Sequence, residues 1–293
     1  MSPAPPTLDA RTGTRYLMPA MRVLLAAFAV LTALATISLF VLAGSTDQTF
    51  AWTIAPPLAA AFIGAGYGAG FVLVVLSLRA GSWACVRVPV LTIFAFVVLT
   101  LTATLLHLDR LHFSSEFASL GLLAKAAAWF WMTVYVIVPV ATLVLIVAQE
   151  RAPGVDPPAR HPVPRALRAA LAVESAVLLV VGVLLFVAPA SATTVWPWAL
   201  TPFTARIIAA WLLAFGLATA LASVAGDLER LRTATVAYTV FGALVLVALL
   251  RFAGTVAWGD PTAWLFVGMA VAVVVTGGTG WRLAPRPRGS SRG

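Results

Sequence analysis

Long apolar runs divided by short polar connections dominate the chain. A transmembrane helix needs roughly 20 apolar residues, within about 17–25. Eight stretches meet that condition: 23–43, 54–78, 88–106, 126–148, 169–190, 207–225, 234–250 and 263–280. Together they contain one formally charged residue, Glu174. In lipid a lone chain must satisfy its own backbone groups, so continuous runs of this length predict helices. A transmembrane barrel would instead show alternating segments of about ten residues. The expected fold is an all-α polytopic membrane protein with eight transmembrane helices.

Composition agrees. Of 293 residues, 61% are apolar and 10% charged, and the mean hydropathy is +1.00. Soluble domains carry about 25% charge. A soluble enzyme, a nucleic-acid-binding module and a disordered chain are excluded. The formal charge of +9 does not reopen the nucleic-acid reading, because cytoplasmic loops of membrane proteins collect arginine and lysine. Eighteen of the 19 basic residues are arginine, with Lys125 the exception, a skew that fits a GC-rich bacterial genome. Fifteen of the 19 lie in the N-terminal segment, the alternate connections 79–87, 149–168 and 226–233, and the C-terminal tail. The other connections hold Arg110, Lys125, Arg206 and Arg251. This bias predicts a bacterial cytoplasmic-membrane protein with both termini cytoplasmic. The polar segment before residue 23 lacks an A-x-A-type cleavage site after a short apolar core, so the first run is expected to be retained.

The chain also matches itself. An offset of 146 aligns Arg22–Ser77 with Arg168–Ser223 without a gap, and 12 of 56 positions are identical. Trp52 falls on Trp198, Pro56 on Pro202 and Gly70 on Gly216. The expected organisation is a cytoplasmic tail 1–22, a four-helix repeat 23–148, a Pro/Arg-rich linker 149–168, a second four-helix repeat 169–280 and a basic tail 281–293. An even number of spans per half gives the repeats the same orientation, related by an axis along the membrane normal.

Glycines 64, 66, 68 and 70 alternate between opposite helix faces, which predicts a second helix sandwiched between neighbours. Each Trp-x-x-x-Pro pair reads as an interfacial anchor entering a helix. Pro139 within the fourth run predicts a kink at the carbonyl of Tyr135.

Few residues carry chemistry. Cys85 is the single cysteine, which excludes an intramolecular disulfide and a CxxC centre. In the outer segment 107–117, helical continuation would place Asp109, His112 and Glu116 on one face. Arg206 near an outer helix mouth is a candidate anion ligand or snorkelling side chain; Glu174 is a candidate proton carrier or a carboxylate stabilised near the cytoplasmic interface by its helix N-terminus and nearby arginines. Seven of ten tryptophans fall at the outer boundary. The expected site is an outer-leaflet cavity walled by Trp52, Trp129, Trp131, Trp196 and Trp198, edged by Arg206, Asp109, His112 and Glu116. Its expected partners are membrane lipids and a hydrophobic or anionic small molecule, without nucleic acid, cofactor or metal. The activity expected is binding or transport of an apolar or amphipathic molecule. An ion- or proton-coupled transporter, an intramembrane enzyme using 107–116 and a structural subunit are the alternatives.

The charge bias sets a topology test. With Cys85 replaced by serine, an impermeant maleimide applied to intact cells should label Asp47→Cys and leave Asp156→Cys unlabelled. The reverse pattern inverts the orientation.

Overall fold

The computed structural model describes residues 13–193 and 196–285; the residues before 13 and the basic end beyond 285 lie outside this description. It is all-helical, with eight helices long and apolar enough to cross a membrane, as expected of a multi-pass membrane protein. These are α1 (Pro19–Thr36, continued by a π-helical turn Ile37–Val41), α2 (Pro57–Ala80), α3 (Trp83–Leu105) and α4 (Leu122–Glu150). The remaining four are α5 (Arg165–Val187), α6 (Pro202–Ala225), α7 (Leu228–Arg251) and α8 (Pro261–Leu283).

The helices outrun most of the apolar stretches by about a turn, because capping chemistry rather than hydropathy sets their ends. Proline occupies the first turn of α1, α2, α6 and α8, where its missing N–H costs nothing. Asp227 caps α7 by accepting the N–H groups of Glu229 and Arg230, and Asp260 caps α8 by accepting that of Thr262. Gly81 and Gly226 end α2 and α6 at φ +73° and +67°, so two-residue turns suffice to start α3 and α7. The fifth run ends early, at Val187, because Pro189 opens a separate short helix, Pro189–Ala192. α4 runs on through Pro139 as one helix.

Four helices, α2, α3, α6 and α7, form the centre, and α1, α4, α5 and α8 stand outside them. α2 packs on α1 and α7; α6 packs on α5 and α3; α8 packs on α7 and α4 on α3. The glycines of α2 make this possible. A Cβ at Gly64 would lie 2.5 Å from the backbone nitrogen of Phe40 on the π turn of α1. One at Gly66 would lie 2.6 Å from the indole of Trp211 on α6, and one at Gly68 2.7 Å from Leu244 on α7. α2 is thus sandwiched, as the glycine spacing predicts.

At the arginine-rich end, short backbone ladders lace each helical hairpin to the chain preceding it. Leu17 N–H donates to Gly81 O (2.9 Å) and Trp83 N–H to Arg15 O (2.9 Å). Val163 N–H donates to Gly226 O (3.2 Å) and Leu228 N–H to His161 O (2.8 Å). Glu150 at the end of α4 receives Arg15 (3.2 Å) and both Nε and Nη2 of Arg87 (2.7 and 2.8 Å). Buried Gln149 beside it accepts Met18 N–H and donates to Tyr16 O, fastening α4 to the same lace.

Glycine packing gives a direct stability test. Gly64→Ala should lower the melting temperature of the detergent-solubilised protein, by an amount worth about 1–3 kcal/mol of overpacking. Gly278→Ala on α8, where a Cβ meets nothing within 4 Å, should leave it unchanged or raise it.

Candidate functional site

The far end of the bundle, opposite the arginine-rich end, holds most of the residues that the sequence singles out, and it disperses them. Segment 107–117 is two 3-10 turns, Leu108–Arg110 and Ser115–Phe117, not a helix. The Ser114 hydroxyl donates to the Asp109 carbonyl (2.8 Å) and folds the chain back. Asp109, His112 and Glu116 therefore share no face. Asp109 pairs with neighbouring Arg110 at 3.0 Å, and both are exposed; Glu116 is exposed as well.

His112 is fully buried and fully used. Its Nδ1–H donates to Phe50 O (2.9 Å), which leaves Nε2 to accept the Thr53 hydroxyl (3.0 Å). Its backbone N–H donates to Ala51 O (2.9 Å). Both ring nitrogens fasten one far-end loop to the other, and neither is free for a metal. Burial pushes the imidazole below its ordinary value, against the opposing pull of the Phe50 carbonyl and Asp47.

Arg206 points neither to water nor to an acid. Its Nε–H donates to Phe186 O near the end of α5 (3.0 Å), and Nη1 donates to His107 Nε2 (3.0 Å). The His107 tautomer follows, because Nδ1–H donates to Ala103 O (3.0 Å). His107 also stacks on Phe203 (5.0 Å between centroids, 14° between planes). Arg251 does a related job on α1, donating to Phe40 O (2.6 Å) and Val41 O (3.0 Å). Both guanidiniums sit at helix C-termini, where unpaired carbonyls favour a cation.

The expected cavity walled by tryptophans of both halves is not formed. Trp52 packs among Phe50, Trp131 and Phe203 at 4.6–4.9 Å, and Trp131 Nε1–H donates to Thr104 (3.1 Å). Trp198 is buried against Phe266 (5.1 Å). Trp129 is exposed and stacks on Phe113 (4.7 Å). Large apolar rings contribute most when packed against one another, so those of Trp52, Trp131 and Trp198 fill the space that an open pocket would need.

An open site exists elsewhere. α5 and α8 each pack on a central helix but diverge from one another, leaving an apolar groove of about 880 Å³. Small-molecule sites typically enclose roughly 300–1,000 Å³. Exposed Val177, Leu184 and Leu265 border it, so it opens to the side, where lipid lies. Its far-end rim carries Trp196, Trp264 and Phe266. Trp196 is the one tryptophan of the expected five that lines it, and its buried Nε1–H has no acceptor among the described residues. At the other end of the groove lies Glu174, whose carboxylate receives Tyr238 OH from α7 (3.0 Å) and Thr276 OH from α8 (2.6 Å).

Sequence reasoning missed His107, Tyr238 and Thr276, because their partners are 64 to 102 residues away. It also missed the buried Tyr67–Tyr135 hydroxyl pair (2.6 Å) beside a small apolar cavity of about 80 Å³. Glu174 was visible, but the expected stabilisation by nearby arginines is not seen among the described residues: its partners are the two hydroxyls. His161, Asp227 and Glu229 lie close enough to resemble a metal cluster. Asp227 is consumed, however: its two oxygens accept four backbone N–H groups, from Arg160, His161, Glu229 and Arg230. Burial alone would raise its carboxyl, and these four donors hold it below the ordinary value. The trio is a cap and a brace.

No protein-family profile, curated protein or solved structure matches the chain.

Burial of neutral His112 has a pH signature. Its folded value lies below the unfolded one, so the unfolded chain binds the extra proton first. Stability from this group is complete above about pH 6.5 and declines as pH falls toward the folded value. Melting temperature should drop between pH 7.5 and 5, and His112→Asn should flatten that part of the profile while lowering the whole curve. An unchanged slope in the variant assigns the pH dependence to other groups.

Proposed function

We propose that this protein binds an apolar or amphipathic small molecule that enters sideways from the outer leaflet into the α5–α8 groove. The observation that carries the reading is the groove itself: laterally open, apolar along its walls and aromatic at one rim. Indoles at a rim favour molecules that keep one end apolar and one end wet. The arginine bias supports a rim outside the cell and both termini in the cytoplasm, and the arginine-over-lysine skew supports a bacterial cytoplasmic membrane.

The same proposal includes two parallel four-helix repeats. The packing supports it, because α1–α2, α3–α4 and α2–α7 correspond to α5–α6, α7–α8 and α6–α3. So do the laces: residues 15–17 bond to 81–83, and 161–163 bond to 226–228. At the far end, His112 N–H donates to Ala51 O and Ala257 N–H to Pro197 O. The 3-10 turns Leu108–Arg110 and Ala253–Thr255 occupy matching places after α3 and α7. These pairs keep the 146 offset before the turns Gly81 and Gly226 and an offset of 145 after them. Parallel repeats occur in transporters, which is an analogy of architecture.

Photolabelling tests the groove. A diazirine-bearing palmitate, reconstituted with the protein in nanodiscs, should label peptides from 173–188 and 262–272 above other lipid-facing segments. Gly268→Trp should remove that excess, since Gly268 lines the groove and has open space at its Cβ. Even labelling around all the outer helices, unaffected by Gly268→Trp, would sink the reading.

A further inference from the structure

Glu174 is nine residues into α5, about 14 Å along the axis from its first residue. Its side chain is 5% exposed and helps line the α5–α8 groove. Two hydroxyls donate to it, one to each oxygen. A carboxylate has about four lone-pair positions, so roughly half of its acceptor capacity is unfilled. Among the described residues no cation pairs with it. Tyr238 is the titratable group facing it from α7. α6 contributes Arg206, committed to His107 and Phe186, and α8 has Arg282 in its last turn. The nearest charge on its own helix is Arg168, six residues or about 9 Å toward the arginine-rich end.

The fold itself does not require this carboxylate. With the offset of 146, the first-half position equivalent to Glu174 is Phe28, and with that of 145 the position equivalent to Tyr238 is Ile93. Phe28 is buried, and both residues line the small apolar cavity, which residues of α6 and α7 also border. The same helix arrangement therefore closes with apolar side chains. An acid retained in the membrane interior without a counter-charge marks a functional position, whose natural partner is a cation.

We infer that the groove takes a lipophilic monocation: an amine or other onium centre carried on an apolar body. The cationic centre sits against Glu174, where it supplies the missing counter-charge. The body lies along Val177, Val181 and Leu265. Glu174 and Leu185 both line the groove and are 11 residues apart on α5, which sets a length of at least about 16 Å. The indoles of Trp196 and Trp264 at the rim give an entering cation an aromatic face to pass over. An anion fits poorly, because Glu174 repels it and Arg206 lies outside the groove lining.

This inference rests on the groove being a binding site, and the test separates the two. The full chain in phosphatidylcholine nanodiscs is assayed by equilibrium binding of radiolabelled tetraphenylphosphonium, its near-neutral relative triphenylphosphine oxide, and tetraphenylborate. Above the uptake of protein-free nanodiscs, the wild type should bind tetraphenylphosphonium saturably, at least tenfold more tightly than triphenylphosphine oxide, and should show no saturable binding of tetraphenylborate. Glu174→Gln should weaken tetraphenylphosphonium at least tenfold and leave triphenylphosphine oxide unchanged. Gly268→Trp should abolish binding of both. Equal affinity for the cation and the oxide in the wild type overturns the charge assignment and leaves the groove standing. Absence of saturable binding by any probe, with Gly268→Trp behaving as wild type, overturns both. If Glu174→Gln fails to fold, the wild-type preference among the three probes decides alone.

Discussion

The bundle depends on the approach of α2 to its neighbours, through bare backbone at Gly64 against the π turn of α1 and at Gly66 against the indole of Trp211. In lipid no hydrophobic effect draws helices together, because the tails are as apolar as the side chains. Dispersion between closely fitted surfaces takes over, and it falls away steeply with separation. A helix that presents glycine on both faces fits two neighbours at once. α2 is consequently the most enclosed span, and α3, α6 and α7 gather round it. Each outer helix then packs chiefly on one central partner. That is why α5 and α8 can diverge while the centre stays closed.

The polar groups follow a single economy. Arg206 and Arg251 neutralise carbonyls at the ends of α5 and α1; Asp227 collects four amide protons; His112 and Gln149 each bridge two segments. In each case a side chain satisfies backbone groups that the end of a helix or a loop leaves open, as burial in an apolar phase demands. Glu174 differs in kind. Its two partners are side-chain hydroxyls, and the helix around it needs no help.

Much of this fold was legible in the sequence. Apolar length gave eight spans, and the spacing of glycines 64 to 70 gave a sandwiched helix, because both signals are local. Helix ends were less legible, since Gly81, Asp227 and the prolines act outside the hydrocarbon and register weakly in hydropathy. The site was least legible. Tryptophan position along the chain tells depth in the bilayer but not azimuth around the helix. Trp52 and Trp131 therefore read like Trp264, although the first two are core and the last is surface. The Arg206–His107 pair joins residues 99 apart, with no periodicity to announce it. Helical continuation from His107 to Glu116 failed because the chain tightens into 3-10 turns once α3 has ended.

The carboxylate of Glu174 belongs to α5, yet its hydrogen bonds come from α7 and α8. It is a three-way knot tied across the floor of an open channel. A group drawn to its oxygens meets them beside Thr276, and so beside the seating of α8. Occupancy and mechanical stiffness are therefore conjugate quantities: a guest that displaces the hydroxyl slackens α8, and one that adds to it tightens α8. The wall that shapes the groove is in this way also the part whose motion would respond to a guest there.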